Sequence, residues 1–207
     1  LYAYDSRGNL VRSTDPKGND TCYFYDGLSR CTGSISYVGT CDAGITINTS
    51  HVEYSDNDRV TSSTDSNGNT TQYTYDALDR CVLVTEADGA HTSLVWSPRS
   101  NLLSSEDANG TTVTNSYDLN DRIVHRDITA RGGAAATTTF EAYAYDGLSR
   151  CVAATNDVSS TTFAYDSLGN CVQSTQDGLT TTKTYDGKGN CLSMTYPGGR
   201  VVTYSYD

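Results

Sequence analysis

Residues 64–81, TDSNGNTTQYTYDALDRC, decide the fold. The turn formers Asp65-Ser66-Asn67-Gly68 lead into Thr70–Tyr75, a run of β-branched and aromatic residues. Turn chemistry returns over Asp76–Arg80 before a new apolar start at Cys81. Tyr73 and Tyr75 stand two residues apart, so both rings leave the same face of a strand. The stretch therefore reads as turn, strand, turn and the beginning of a second strand.

Working outward, its Tyr-Asp pair recurs along the chain as Tyr4-Asp5, Tyr25-Asp26, Tyr75-Asp76, Tyr117-Asp118, Tyr145-Asp146, Tyr165-Asp166, Tyr185-Asp186 and Tyr206-Asp207. Tyr54-Ser55 and Trp96-Ser97 fill the two gaps as degenerate copies. The nine intervals are 21, 29, 21, 21, 21, 28, 20, 20 and 21 residues, so the chain is a tandem repeat with two insertions, near 33–48 and 128–138. Four residues beyond each marker stand Gly, Ser or Asp (Gly8, Ser29, Asp79 and Gly169 among them), types that accept a tight turn. One further on, the chain alternates between Asn and Arg, and the next residue is aliphatic or Cys.

This frame predicts an all-β fold of tandem β-hairpin repeats of about 20–21 residues, spanning 1–207 as a single array of nine to ten units. One hairpin is marginal alone, so the units must pair edge to edge. About twenty strands side by side twist, and the expectation is a continuous antiparallel β-spiral or tube with an aromatic-aliphatic stripe on one face.

Composition narrows the function. The 207 residues carry 14 Lys and Arg against 25 Asp and Glu, a net charge of −11, which argues against a nucleic-acid partner. No apolar run is long enough to span a membrane as a helix. Sixteen Tyr against three Phe fits none of the collagen, coiled-coil or disordered classes.

Tyr-Asp-x-x-Gly-Arg/Asn-aliphatic, preceded by Gly-Asn-x-Thr-x-Tyr, resembles the RHS/YD-repeat family, most clearly at 64–81 and at 174–191, STQDGLTTTKTYDGKGNC. The resemblance covers the chain apart from the insertions. It implies a β-hairpin spiral of the kind that encloses toxins in bacterial secreted proteins and builds cell-surface proteins elsewhere. The family's self-cleaving core, marked by two Asp-Pro pairs, has no counterpart here: Asp15-Pro16 is the one Asp-Pro pair, and it lies in an ordinary turn.

Each candidate site has a structural reading. A Tyr-Asp pair at every unit serves packing and turn capping, because catalysis does not need ten copies. Cys31, Cys81, Cys151, Cys171 and Cys191 replace Leu, Val or Ile and are expected as small buried hydrophobes that stay reduced. Cys22 and Cys41 leave that ladder and are a candidate disulfide. The sequence holds no zinc, EF-hand, phosphate-loop or nucleophile-elbow motif, so neither metal nor cofactor is expected. Asn19, Asn48, Asn69 and Asn109 begin glycosylation sequons on turns or beside an insertion, and glycans are candidate partners there.

The chain begins and ends in the same phase of the repeat, at Tyr4-Asp5 and Tyr206-Asp207. The expected partner is thus the chain itself, by head-to-tail continuation or as part of a longer array. The expected role is non-enzymatic: the wall of an extracellular fibre or cell-surface β-spiral. A segment of a toxin-enclosing shell and an adhesion or carbohydrate-binding surface, with the insertions as recognition loops, stand as alternatives.

Overall fold

The computed structural model describes residues 1–131 and 138–207. It is all-β among the described residues, apart from a 3-10 assignment at Arg131, and divides into two compact units, Leu1–Leu94 and Val95–Asp207. The first unit holds β1 (Tyr2–Tyr4), β2 (Leu10–Thr14), β3 (Asp20–Tyr25), β4 (Cys31–Val38), β5 (Ile45–Tyr54), β6 (Val60–Thr64), β7 (Thr70–Tyr75), β8 (Cys81–Thr85) and most of β9 (His91–Trp96). The second holds β10 (Leu102–Glu106), β11 (Thr112–Tyr117), β12 (Ile123–Thr129), β13 (Phe140–Tyr145), β14 (Cys151–Asn156), β15 (Ser160–Tyr165), β16 (Cys171–Gln176), β17 (Leu179–Tyr185), β18 (Cys191–Thr195) and β19 (Val201–Thr203). Within each unit every strand runs antiparallel to the one before it, as tandem hairpins require.

One turn builds most of the fold. At Asp166 the Gly169 amide donates to the Asp166 carbonyl, and the Asp166 amide donates to the Asn170 carbonyl, at 3.2 and 3.0 Å. The fourth position has positive φ: 90° at Gly169, but also 64° at Ser149 and 59° at Asp79. This is a type I turn closed by a left-handed residue, the three-residue hairpin loop whose twist suits antiparallel strands. The turns at the opposite strand ends, such as Asp15–Asn19 and Asp65–Asn69, use the same hydrogen bonds. The two 20-residue intervals have a local cause: two-residue loops, Asp157-Val158 and Asp177-Gly178, replace three-residue ones. One residue fewer leaves the strand pairing intact and shortens the repeat.

Each strand that follows a Tyr-Asp turn opens with a β-bulge. Tyr165 faces Cys171 and Ala164 faces Gln173, so Val172 is extra. The same slip recurs at Tyr25, Tyr75, Tyr145 and Tyr185. The first insertion is a lengthened hairpin, with β4 and β5 running past their neighbours to a turn over residues 39–44. Of the second, near 128–138, residues 132–137 lie outside the described residues.

No apolar side chain is fully buried among the described residues. A single layer of sheet covers each residue from its flanks and leaves its face partly open, so there is no second layer to make a dry core. The five ladder cysteines are consequently half-exposed rather than buried, which corrects the expectation from their aliphatic position. Each thiol instead lies against the carbonyl two residues ahead, as Cys151 Sγ does with Ala153 O at 3.3 Å, on the bulged stretch. Cys31, Cys81, Cys171 and Cys191 repeat the contact at 3.4–3.7 Å.

Candidate functional site: the junction between repeats

The repeat signature residues meet at the boundary between one unit and the next. The Asp of each marker caps its own turn. In Asp166, Oδ1 accepts the Leu168 and Asn170 amides, both at 2.9 Å, and Oδ2 accepts the Asn170 side-chain amide at 2.9 Å. Asp5, Asp26, Asp76, Asp118, Asp146 and Asp186 make equivalent bonds. Hydrogen bonds from the residue four ahead hold these carboxyls below the usual carboxylate range.

The Tyr of each marker reaches backwards. Tyr165 Oη donates to the Cys151 carbonyl at 2.8 Å, that is, to the first residue of the preceding unit's bulged strand. Tyr25, Tyr54, Tyr75, Tyr117, Tyr145, Tyr185 and Tyr206 reach Leu10, Cys31, Val60, Leu102, Ile123, Cys171 and Cys191 in the same way, at 2.8–3.0 Å. This bond explains why the chain uses Tyr where Phe would supply the same apolar area. Burial pushes the phenols of Tyr25, Tyr75, Tyr165 and Tyr185 upward. At the terminal markers the rings of Tyr4 and Tyr206 are exposed.

The residue after the left-handed position reaches forwards. Arg150 Nε donates to Asp146 Oδ2 at 2.7 Å, Nη1 to the Asp166 carbonyl of the next turn at 3.2 Å, and its guanidinium lies 4.7 Å from the Tyr165 ring centroid. Arg30 over Tyr54 and Arg122 over Tyr145 repeat the stack at 4.8 and 4.6 Å. Where this position is Asn the reach is shorter: Asn9 bonds Asp5 and Ser29, and Asn101 bonds Asp121. The frame's Arg/Asn alternation is therefore a choice between a long and a short strut between turns. No sequence spacing within one unit reports that role, because the acceptor belongs to the neighbouring unit.

The structure joins Cys22 to Cys41 as a disulfide, with Cα atoms 6.4 Å apart. The bridge ties the turn of the lengthened hairpin to β3. The same corner holds Asp20, 3% exposed, which accepts from Thr14 Oγ1 at 2.6 Å and the Cys41 amide at 3.1 Å. The Thr14 hydroxyl and the Cys41 amide lower its pKa. A loop of this separation is worth about 3 kcal/mol of unfolded-state entropy. Without reductant, five thiols should label in denaturant, rising to seven after reduction. Cys41→Ser should lower stability by about that amount; seven reactive thiols before reduction would show the bridge absent.

The sequon asparagines differ in availability. Asn48 lies exposed within β5, and Asn109 on an exposed turn. The side-chain amides of Asn19 and Asn69 are engaged by Asp15 and Asp65 at 3.0 and 2.9 Å, so a glycan at either would displace a turn bond. Among the described residues no group of three His, Cys, Asp or Glu converges as a metal site, and no helix is long and apolar enough to cross a membrane.

The RHS repeat family model matches residues 4–39, 54–91, 165–201 and 185–207, together more than half the chain. The chain belongs to the RHS repeat family. The fold of this RHS chain is similar to that in the crystal structures of TcdB2-TccC3-Cdc42 (TM-score 0.74, 16% identity) and TcdB2-TccC3 (0.75, 15%). It is also similar to the Photorhabdus luminescens Tc holotoxin pore structure with mutated TccC3 (0.60, 14%). Each likeness covers 98% of this chain but only 13–15% of the other, so the RHS chain spans a small part of those proteins. No curated protein matches. The RHS chain is a structural repeat segment, and its Tyr, Asp and Arg/Asn positions are joints between repeats.

Proposed function

We propose that residues 1–207 form one array that builds a stretch of wall in a hollow RHS β-spiral enclosing another polypeptide. The chain-wide likeness to the TcdB2-TccC3 fold is the observation that carries this reading over a fibre. The chemistry of the joints supports a scaffold: the Tyr, Asp and Arg of the repeat signature are engaged in holding successive hairpins. The proposed setting is extracellular or cell-surface, where a Cys22–Cys41 bridge persists. Further repeats of the same kind are the proposed partners, continuing the sheet.

Electron microscopy of the native protein, recovered without denaturant, tests the proposal. Discrete hollow particles with this array in the wall are expected. Long filaments would replace the shell with the head-to-tail fibre, and a hydrolytic activity abolished by changing a joint residue would overturn the scaffold role.

A further inference from the structure

On the face that carries the marker tyrosines, the second unit is unevenly filled. The residue two before each marker meets a partner across its hairpin: Asn115 faces Arg126, Tyr143 faces Ala154, Phe163 faces Ser174 and Lys183 faces Met194. Arg126 and Met194 are long side chains, whereas Ala154 and Ser174 are short. The two short residues leave a groove across β13–β17 beside the half-buried rings of Tyr143 and Phe163. It consists of two open hollows of 270 and 720 Å³ that share Thr161 and Gln176. Its four inter-strand steps amount to about 19 Å.

Several polar groups of the groove are left over from the fold. Asn156 Oδ1 accepts the Val158 and Ser159 amides at 3.0 and 2.9 Å, and Gln176 Nε2 donates to Ser159 Oγ at 3.2 Å. Among the described residues, Asn156 Nδ2, Gln176 Oε1 and the hydroxyls of Thr161 and Ser174 have no partner, and Phe163 stacks on neither a ring nor a cation. The carboxylates of the lining are engaged: Glu141 by Arg126 at 2.8 Å, and Asp177 by the Ser160 amide and Ser159 Oγ at 2.8 and 2.9 Å. The groove thus offers ring faces next to unpaired amide and hydroxyl groups, with its charges already matched.

We propose that this groove binds a neutral, extended oligosaccharide. Flat aromatic faces suit the C–H faces of pyranose rings, and side-chain amides suit neighbouring sugar hydroxyls that both donate and accept. The net charge of −11 disfavours anionic polymers. A peptide fits less well, because every strand from β13 to β17 is paired on both sides and opens no backbone edge for strand addition. The inference is independent of what the wall encloses.

Titration calorimetry of the 207-residue chain with cellohexaose, an extended β-linked glycan, is the test, with the coiled α-linked maltohexaose as comparison. The wild type should bind cellohexaose, and maltohexaose at least roughly tenfold more weakly. Phe163→Ala removes a stacking face and should weaken cellohexaose binding at least roughly tenfold. Gln176→Ala, at an exposed position, should weaken it severalfold without disturbing the fold. Leu78→Ala, on an exposed turn of the first unit, should leave it unchanged. Hydrogen exchange of the wild type gives a readout free of any folding defect: amides of β15 and β16 should exchange more slowly with cellohexaose present. A wild type that binds no cellohexaose, binding indifferent to both Phe163→Ala and Gln176→Ala, maltohexaose bound as tightly, or no added protection in β15 and β16 would overturn the proposal.

Discussion

Lowering the pH from about 5 to about 2.5 should unfold the chain cooperatively, with urea midpoints falling steeply once the pH drops below the ordinary aspartate value of about 3.9. Eleven carboxyls are held low in the folded state: Asp5, Asp15, Asp20, Asp26, Asp65, Asp76, Asp118, Asp146, Asp157, Asp166 and Asp186. A depressed folded-state pKa means that the unfolded chain takes up protons first on acidification. The stabilisation is therefore complete above about pH 4 and is lost as pH falls through the folded-state values. Relief of the −11 self-repulsion works in the opposite direction, which keeps stability nearly level between neutral pH and about 5. Below that the local bonds win, since contacts such as those of Asp5, Asp20 and Asp76 are 2.6–3.1 Å long and the net charge is spread over the whole chain. Asp166→Asn isolates one member. Asn156 already caps its turn through Oδ1 in this chain, so the fold survives the change. The variant should be less stable than wild type at pH 7, and the difference should shrink as pH falls below the ordinary aspartate value of about 3.9. A wild-type stability flat across the acid range would show that the carboxylates cap nothing of consequence.

The contrast between Asp166 and Tyr165 shows what the sequence makes legible. Turn capping is local: Asp, a left-handed residue three positions later and an amide donor one beyond that all lie within one repeat. Their spacing alone announced the hairpins, including left-handed Ser29, Asp79 and Ser149, where Gly is not used. The joints are not local in this sense. Tyr165 needs the carbonyl of Cys151, and Arg150 needs the Tyr165 ring and the Asp166 carbonyl. The sequence displays Tyr and Arg at fixed positions without displaying which unit they serve. The cysteine ladder departs from its expected burial for a related reason. An aliphatic position in a repeat suggests a buried one only if a second layer covers it, and here Cys31 or Cys171 has sheet on its flanks and none above. The lengthened hairpin stood out as an insertion, but its one-sided pairing depends on where β6 ends, which no motif encodes.

Removing the Tyr165 ring should be among the most damaging single changes in the second unit. Tyr165→Ala deletes a half-buried ring, its bond to Cys151 O and its stack under Arg150 together, at a cost of about 3 kcal/mol. Tyr165→Phe separates the terms: it keeps the area and loses the hydroxyl, at a cost of about 1 kcal/mol from the lost bond. The larger loss in Ala is therefore ring packing, and the smaller loss in Phe is the link between units. Base titration distinguishes the link from a general effect of the substitution. Burial raises the Tyr165 phenol, so its contribution is fully present below the unfolded value of about 10 and disappears as pH rises through the folded value, when a phenolate has no proton to donate. Wild type and Tyr165→Phe should thus differ at pH 7, and the gap should narrow above about pH 10. Because stability in such arrays is a sum of unit and nearest-neighbour terms, hydrogen exchange in Tyr165→Phe should accelerate first in β14 and β15, the strands the bond joins. Equal stability of wild type and Tyr165→Phe at pH 7, with unchanged exchange in those strands, would reduce Tyr to an aromatic filler and leave Arg150 and the backbone ladder as the whole connection between repeats.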